Sequence, residues 1–527
     1  MDEATSRADA LTVTAVLNCL IRELARPEGA GYLLPAGGER FRVRGGRRPG
    51  DPELSTERGW QPLDLDGLLA LACRELNART GVDNPGLAAE IRDSRDVTAA
   101  ILRARGPRRP PPARSRVAPD GAAVDAYLRS EQSLVAGHRY HPAPKSRGGD
   151  PPARWLPYAP EAYASFPLTL LGVSEDLLAD VGDTAALDRL WADRAPAGYR
   201  VLPAHPWQLE VLGDRPELRD GRLLRLGPTT ERAWATSSLR TVYLPGPDLA
   251  LKFSLDVRVT NDIRRLWLRD LRWLAPVDEL LAKAFADAPG SASMLADRGY
   301  RTLGPAGGDA YEAFAVLVRD GFGPAPAPLL AAGISEGFPG SPLDGRTPEQ
   351  ALEWWRRYVE QVVPPVLHAY LRHGVVLECH LQNVLVGMDR DGYPGTAVFR
   401  DHEGVKLVAE RHGALLAGLG PDVPTPGLPA ARGWQRLVYC LVTNNLLEIA
   451  GAVTERHPEL AGDLWPRARQ VFARWDDRPE VRELLGSPTV PAKTNLLLRW
   501  LAADGGDSAY IPLANPLAGP GTRLSPG

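Results

Sequence analysis

The sequence predicts an α+β fold of roughly two to four domains or lobes. Three observations lead there. Apolar residues recur at helical spacing through residues 1–104. Two stretches, Ser237–Leu255 and Val375–Phe399, each read as strand, turn, strand. Long segments with an apolar stripe, Glu353–Arg372 and Trp434–Val453, flank the second of these. At 527 residues the chain is too long for one ordinary core. A hydrophobic share of 44% with 24% charged residues is that of a globular protein rather than a disordered one. Net charge is -3, from 62 basic and 65 acidic residues, so no overall basic field points to nucleic acid.

Taken in order, Leu11–Leu24, Leu65–Leu76 and Val97–Leu102 have helical periodicity, with a strand-like piece at Tyr32–Val43. The N-terminus, MDEATSRADA, has no apolar signal-peptide core. No apolar run approaches the roughly 20 residues that span a bilayer. The four cysteines form no CxxC pair and read as free thiols. Together these features predict a cytoplasmic protein without a membrane partner. Arg103–Arg116 is rich in proline and arginine and predicts an exposed linker. No aromatic residue is interleaved there for base stacking, which argues against a nucleic-acid arm.

Glu131–Val135 can end a helix, with Gly137 as its cap. His138, Arg139, His141, Lys145 and Arg147 then crowd a loop stiffened by Pro142 and Pro144. Such a set of cations repels itself unless an anion, carboxylate or phosphate, sits among them. Two other readings stay open. His138 and His141 could ligate a metal, although no third His or Cys is near, and the loop could simply be solvated. His205, in LPAHPWQL, reads as part of a packed corner beside Trp207.

Ser237–Leu244 reads as a strand, Pro245–Asp248 as a turn, and Leu249–Leu255 as the returning strand. Ser238 and Arg240 share a face of the first arm and Lys252 lies on the second, in outline a phosphate grip. Asn261-Asp262 can start a helix, which would put Arg264 and Arg265 in its first turn. Cations are disfavoured there unless they sit on an anion or face water. In Glu353–Arg372, Trp354, Tyr358, Val362 and Val366 form a core stripe, and Pro364-Pro365 predicts a kink or break.

Val375–Leu377 and Val384–Val386 are apolar runs separated by Glu378, His380, Gln382 and Asn383. A turn at Asp389–Gly392 sends the chain back through Thr396–Phe399 to Arg400–Gly404. The hairpin brings Glu378, His380, Asn383 and Asp401 to one end of a sheet. Their oxygens are hard ligands suited to Mg²⁺ carrying a nucleoside triphosphate. A polar surface hairpin is the other reading.

These stretches together, GHRYHPAPKSRGG (137–149), HPWQ (205–208), SLRT (238–241), Lys252, Thr260–Arg264, ECHLQN (378–383) and RDHEG (400–404), resemble the NRPS-independent siderophore synthetases, the IucA/IucC family. Order and spacing also fit, over roughly residues 125–515. Arg139 stands where the family usually has proline, and Cys379 where a small alanine is usual. The first departure bears on which acid is bound. The resemblance implies a cupped hand with a distant kinase-like character. A helical thumb (1–125), β-rich fingers (126–335) and a mixed palm (336–527) would enclose the site. It implies a ligase using ATP and Mg²⁺ that adenylates a carboxylic acid, citrate or a related precursor. An amine or alcohol then displaces AMP, and pyrophosphate is released. By motif position Ser238, Arg240, Thr241, Lys252, Arg264, His380, Gln382 and Lys493 would bind ATP, with Lys252, Arg264 and His380 closest to the chemistry. His138, Lys145, Arg147, Thr260 and Asn261 would hold the carboxylate substrate, and Glu378, Asn383 and Asp401 the metal. A homodimer is a further family expectation.

Two rivals stand beside this reading. A kinase-like phosphotransferase would also place an Asn-ended loop, a hairpin and a metal Asp together, and would make ADP. However, no HRD, DFG or GxGxxG motif is present. A non-enzymatic carboxylate-binding scaffold is the other, but the charged positions of the motifs are all retained.

Overall fold

The structure, a computed structural model, describes residues 2–106, 121–259, 262–305, 308–323, 328–419, 426–503 and 510–519. Most of the expected linker Arg103–Arg116 lies outside the described residues. Asp2 caps the first helix, Glu3–Glu23, by accepting the Thr5 amide at 2.8 Å. Leu17 and Leu20 from that helix join Leu68, Leu76, Leu87 and Ile91 in one core, which Leu496 and Trp500 complete from near the C-terminus. The largely helical N-terminus needs a correction. Five antiparallel strands, β1 (Arg26–Glu28), β2 (Gly31–Leu33), β3 (Arg40–Arg44), β4 (Gly50–Thr56) and β5 (Gly59–Pro62), lie between the first helix and the helix Leu65–Thr80. Only β2 and β3 show in the sequence. β1 and β5 are short and wholly exposed, so burial imposes no alternation on them.

The next region holds β6 (Ser165–Ser174), β7 (Leu178–Gly182), β8 (Tyr199–Ala204), β9 (Leu223–Ala235), β10 (Thr241–Leu244), β11 (Leu249–Phe253), β12 (Leu255–Val259), β13 (Asp262–Arg264), β14 (Ser293–Met294), β15 (Asp297–Leu303) and β16 (Val316–Asp320). Eight of them form one sheet in the order β7-β15-β16-β11-β10-β9-β6-β8. Leu170, Val201, Val242, Leu251 and Val316 pack on its inner face. His205 lies in the expected packed corner, among the rings of Tyr158, Phe166 and Phe253.

Two local readings change here. β10 starts at Thr241 rather than Ser237. Ser238–Arg240 form a turn with Leu239 at φ 70°, and Ser238 Oγ accepts the Thr241 amide at 3.2 Å. Asn261 lies outside the described residues, and Asp262 does not open a helix. β12 and β13 form an antiparallel ribbon with Val259 opposite Asp262, and the helix begins only at Leu268. Arg264 is therefore a strand residue. Arg265 is held by Asp256, Nε to Oδ1 2.8 Å, a cross-ribbon partner that takes up its charge.

A capping box at Thr347 and Gln350 starts the helix Pro348–His373, and Gly374 in the left-handed region ends it. Trp354, Tyr358, Val362 and Val366 are fully buried, as their stripe predicts. Pro364-Pro365 does not break the helix. The carbonyls deprived of donors belong to Glu360 and Gln361, which are half-exposed and open to water. Beyond it lie β17 (Leu329–Leu330), β18 (Val375–Val376), β19 (Val384–Met388), β20 (Pro394–Phe399), β21 (Lys406–Val408), β22 (Gly427–Leu428), β23 (Thr489–Lys493) and β24 (Tyr510–Ala514). β19 and β20 form the expected hairpin, with Val384 opposite Phe399. Asp389 Oδ1 shapes its turn by accepting the Asp391 and Tyr393 amides, both at 2.9 Å.

The helix Ala430–Val438 passes through a π-helical segment, Tyr439–Leu446, into the helix Leu447–Arg456. This 27-residue rod is long and apolar enough to cross a membrane, but 78% of its most apolar window is buried in the palm core. All four cysteines are free.

Candidate active site

The eight-stranded sheet, the β19–β20 hairpin and the N-terminal region enclose a cavity of about 620 Å³. β10 and β11 run antiparallel with Thr241 opposite Lys252, so the SLRT turn and the lysine reach the cavity from one sheet end. β19 and β20 bring the loops 377–383 and 400–405 to it from the palm. The Arg400 amide donates to Asn383 O at 3.1 Å and joins these two loops.

Across the cavity, cations of the eight-stranded sheet and its SLRT turn meet carboxylates of the loop after β20. Lys252 Nζ lies 2.7 Å from Asp401 Oδ1 and 2.5 Å from Glu403 Oε2. Arg240 Nη2 is 2.9 Å from Glu403 Oε2, and Arg319 Nη2 is 3.5 Å from Asp401 Oδ1. Burial alone would push the Asp401 carboxyl up. Lys252 and Arg319 outweigh it and hold Asp401 well below the usual carboxylate range. Glu403 is likewise kept low by Arg240 and Lys252 against its burial. Asp401 has φ 80°, a strained conformation for a residue with a side chain. Its neighbour Arg400 helps hold it there, buried on Glu131 and donating Nε to Gln382 O at 3.0 Å.

Glu378 pairs with Arg436, Oε1 to Nη2 2.6 Å, and stays ionised despite its burial. A Cβ on Gly404 would fall 1.9 Å from Glu378 Oε2, so glycine makes room for that carboxylate. Asn383 Nδ2 donates to Glu378 O at 3.1 Å. Glu378, Asn383 and Asp401 all line the cavity and offer hard oxygen donors, and the two acids are charged, so the set fits Mg²⁺. Burial lowers the His380 pKa against the pull of Glu378 and Asp401, which leaves a neutral ring. Its Nδ1 accepts the Gln382 amide at 3.3 Å, and its Nε2 lies 4.0 Å from Glu378 Oε2. Lys493 lines the cavity 5.6 Å above the Tyr439 ring, its pKa lowered by burial and then by Arg436.

The basic loop is neutralised by acids distant in sequence. Lys145 Nζ pairs with buried Glu161, and Arg147 Nη2 is 3.8 Å from the same carboxylate. Arg139 Nη1 is 2.8 Å from Glu448 Oε2, which also faces Arg47 of the thumb. His138 opens onto the cavity. The surrounding protein, ahead of His141, lowers its pKa and keeps it neutral. Arg264 Nη2 donates to Val259 O at 3.0 Å, and its carbonyl accepts from Arg240 Nη1 at 3.0 Å. Thr260 and Asn261 lie outside the described residues. Sequence reasoning passed over Glu403, Arg319, Arg436 and Glu131. Only Glu403 had a signal, its place beside Asp401.

Comparison with known proteins gives this site its context. The IucA / IucC family model matches residues 126–334, and one described as a ferric iron reductase FhuF-like transporter matches 352–508. The chain is 29% identical to an L-2,3-diaminopropanoate–citrate ligase of Staphylococcus aureus, over 75% of each chain. It is 28% identical to the rhizobactin siderophore biosynthesis protein RhbC of Rhizobium meliloti, over 97% of each. Over residues 126–334 the chain resembles the IucA / IucC family, and these two relatives are named for citrate ligation and siderophore biosynthesis. The fold agrees with that of the family's ATP-bound aerobactin synthetase IucA from Klebsiella pneumoniae, with a TM-score of 0.80 and 21% identity over 96% of this chain and 99% of that one. It also agrees with the petrobactin biosynthesis protein AsbB of Bacillus anthracis, with a TM-score of 0.74 and 17% identity over 98% and 96%.

Proposed function

We propose that this chain is a ligase of the IucA/IucC type that uses ATP and Mg²⁺ to adenylate a carboxylic acid, citrate or a close relative, and then condenses it with an amine or alcohol. The observation that carries the reading is the row Arg240, Lys252 and Arg319 set against Asp401 and Glu403 in one cavity. Adenylation brings two anions together, and fixed cations are what lower its barrier. A carboxylate oxygen of the acid attacks the α-phosphorus, and the bond to the bridging oxygen breaks to release pyrophosphate. The amine nitrogen then attacks the acyl carbon, AMP leaves, and the nitrogen loses a proton. Lys252, Arg240 and Arg264 hold the phosphates, with Ser238 and Thr241 beside them and neutral His380 donating from Nε2. Mg²⁺ held by Glu378, Asn383 and Asp401 would supply charge neutralisation on the phosphates. Gln382 and Lys493 serve the nucleotide in this reading, and His138, Lys145, Arg147, Thr260 and Asn261 the acid. Catalysis here is mainly positioning, so no covalent enzyme intermediate is invoked.

Citrate and an amine are favoured because the similar Staphylococcus aureus protein is named for that pair. In this reading thumb, fingers and palm form the cupped hand around the cavity. Hydroxylamine trapping tests it. Protein, ATP, Mg²⁺ and citrate should yield citryl hydroxamate with AMP and pyrophosphate in equal amounts. Formation of ADP would instead establish the phosphotransferase, and no nucleotide turnover with a panel of di- and tricarboxylic acids would favour a scaffold.

A further inference from the structure

Outside the cavity, two long helices end at one point on the palm side. The helix Leu268–Ala286 finishes at Asp287, its C-terminal cap, and the helix Pro348–His373 finishes at His373. His368 and His373 turn their Nε2 atoms onto the same Asp287 oxygen, each at 3.0 Å. The three donor atoms lie within 4.8 Å of one another. None of the three residues lines the ATP-side cavity. From this convergence we infer a second metal site, a two-histidine, one-aspartate centre for a divalent transition ion such as Zn²⁺.

The spacing suits that ion. Zn–N and Zn–O bonds of about 2.0–2.2 Å place tetrahedral ligand atoms about 3.3 Å apart. The two N···O edges are 3.0 Å, so a slight opening admits the ion. A carboxylate oxygen can also accept a hydrogen bond from each of two imidazoles. The second ring and two helix C-termini add an electrostatic bias. Each helix end carries partial negative charge, and both point where a cation would sit. His368 is on a rigid element, buried beside the edge of Trp475. Asp287 is exposed, which leaves the fourth coordination position to water. Two imidazoles with one carboxylate select late transition ions over Mg²⁺, so the centre differs in kind from the all-oxygen set at the nucleotide site. A bound ion would clamp the helix that carries Asp270 into the cavity to the central helix of the palm.

The test uses full-length protein stripped with chelator and titrated with Zn²⁺ by calorimetry, with Co²⁺ as a spectroscopic probe. The expected result is one Zn²⁺ per chain, tetrahedral Co²⁺ bands, and a melting temperature that Zn²⁺ raises. His373→Gln and Asp287→Asn, both partly exposed and so compatible with folding, should each weaken binding about tenfold or more and abolish the Co²⁺ bands. No saturable binding by the wild type would overturn the site. So would binding and Co²⁺ bands that both variants leave unchanged.

Discussion

Lys252→Met is the most direct probe of the charge row. The side chain is only 3% exposed, and its ammonium faces two carboxylates at 2.7 and 2.5 Å. Methionine keeps its length and removes the charge. Loss of one fixed, water-excluded donor to a developing charge costs about 3 kcal/mol of transition-state stabilisation, or about 100- to 1000-fold in kcat. Folding should suffer less. A carboxylate left buried without any partner costs about 3–5 kcal/mol. Here Arg319 stays 3.5 Å from Asp401 and Arg240 stays 2.9 Å from Glu403. The remaining cations therefore limit the loss to about 1–2 kcal/mol, by the same reasoning. The assay is citrate-dependent pyrophosphate release, run alongside urea unfolding. Because the folded Asp401 carboxyl is depressed, its stability contribution is present above its unfolded pKa and is lost as the pH falls. Removing Lys252 should move that acid limb to higher pH. A variant that unfolds normally and still releases pyrophosphate at the wild-type rate would refute the role given to Lys252.

Other substitutions probe separate parts of the structure. Gly404→Ala drives a methyl group into Glu378 Oε2, so Mg²⁺-dependent turnover should drop about tenfold or more while the melting temperature hardly moves; an unchanged Mg²⁺ titration would count against Glu378 as a ligand. Glu131→Gln strips the charge from the buried partner of Arg400 and should destabilise the fold by about 3–5 kcal/mol in urea titrations. His402, 1% exposed, lies 2.9 Å from Asp278 and 3.1 Å from Asp297; against its burial these carboxylates raise its pKa to about 9. Its contribution of about 1–3 kcal/mol should be complete below pH about 6.5 and vanish as the pH rises through about 9. Melting temperatures between pH 6 and 10 should show that decline in the wild type and lack it in His402→Gln.

Much of the site could be read in the sequence because its residues fall in short strings on either side of tight turns. ECHLQN and RDHEG flank one hairpin, and SLRT and Lys252 belong to another, so local geometry alone brings each pair close. The counter-charges were not legible. Arg436 reaches Glu378 across 58 positions, and Glu161 and Glu448 neutralise the basic loop from other elements. In space each of Lys145, Arg147 and Arg139 has a carboxylate beside it that the local sequence could not show. The β12–β13 ribbon was misread for a related reason. Asn and Asp favour helix starts and turns alike, and the pairing of Val259 with Asp262 decides between them. Part of the N-terminal sheet stayed hidden because short, exposed strands such as β1 and β5 show no apolar rhythm.

The π-helical segment Tyr439–Leu446 fixes the angular phase of the rod around it. Asn445 turns inward, accepting from Tyr358 Oη at 2.6 Å and donating to Cys379 O at 3.0 Å, while adjacent Asn444 faces the cavity. The wider turn accommodates a residue that ordinary α geometry would not, without disturbing the apolar faces at Leu437 and Ile449. Deleting one residue inside it would restore the regular pitch and leave the flanking helices in phase, so the effect would stay within the segment. Asn445 would leave the carbonyl that steadies the Glu378 loop, while Glu448, downstream, would keep Arg139 and Arg47. One wide turn thus serves the Glu378 loop without moving the helix beyond it.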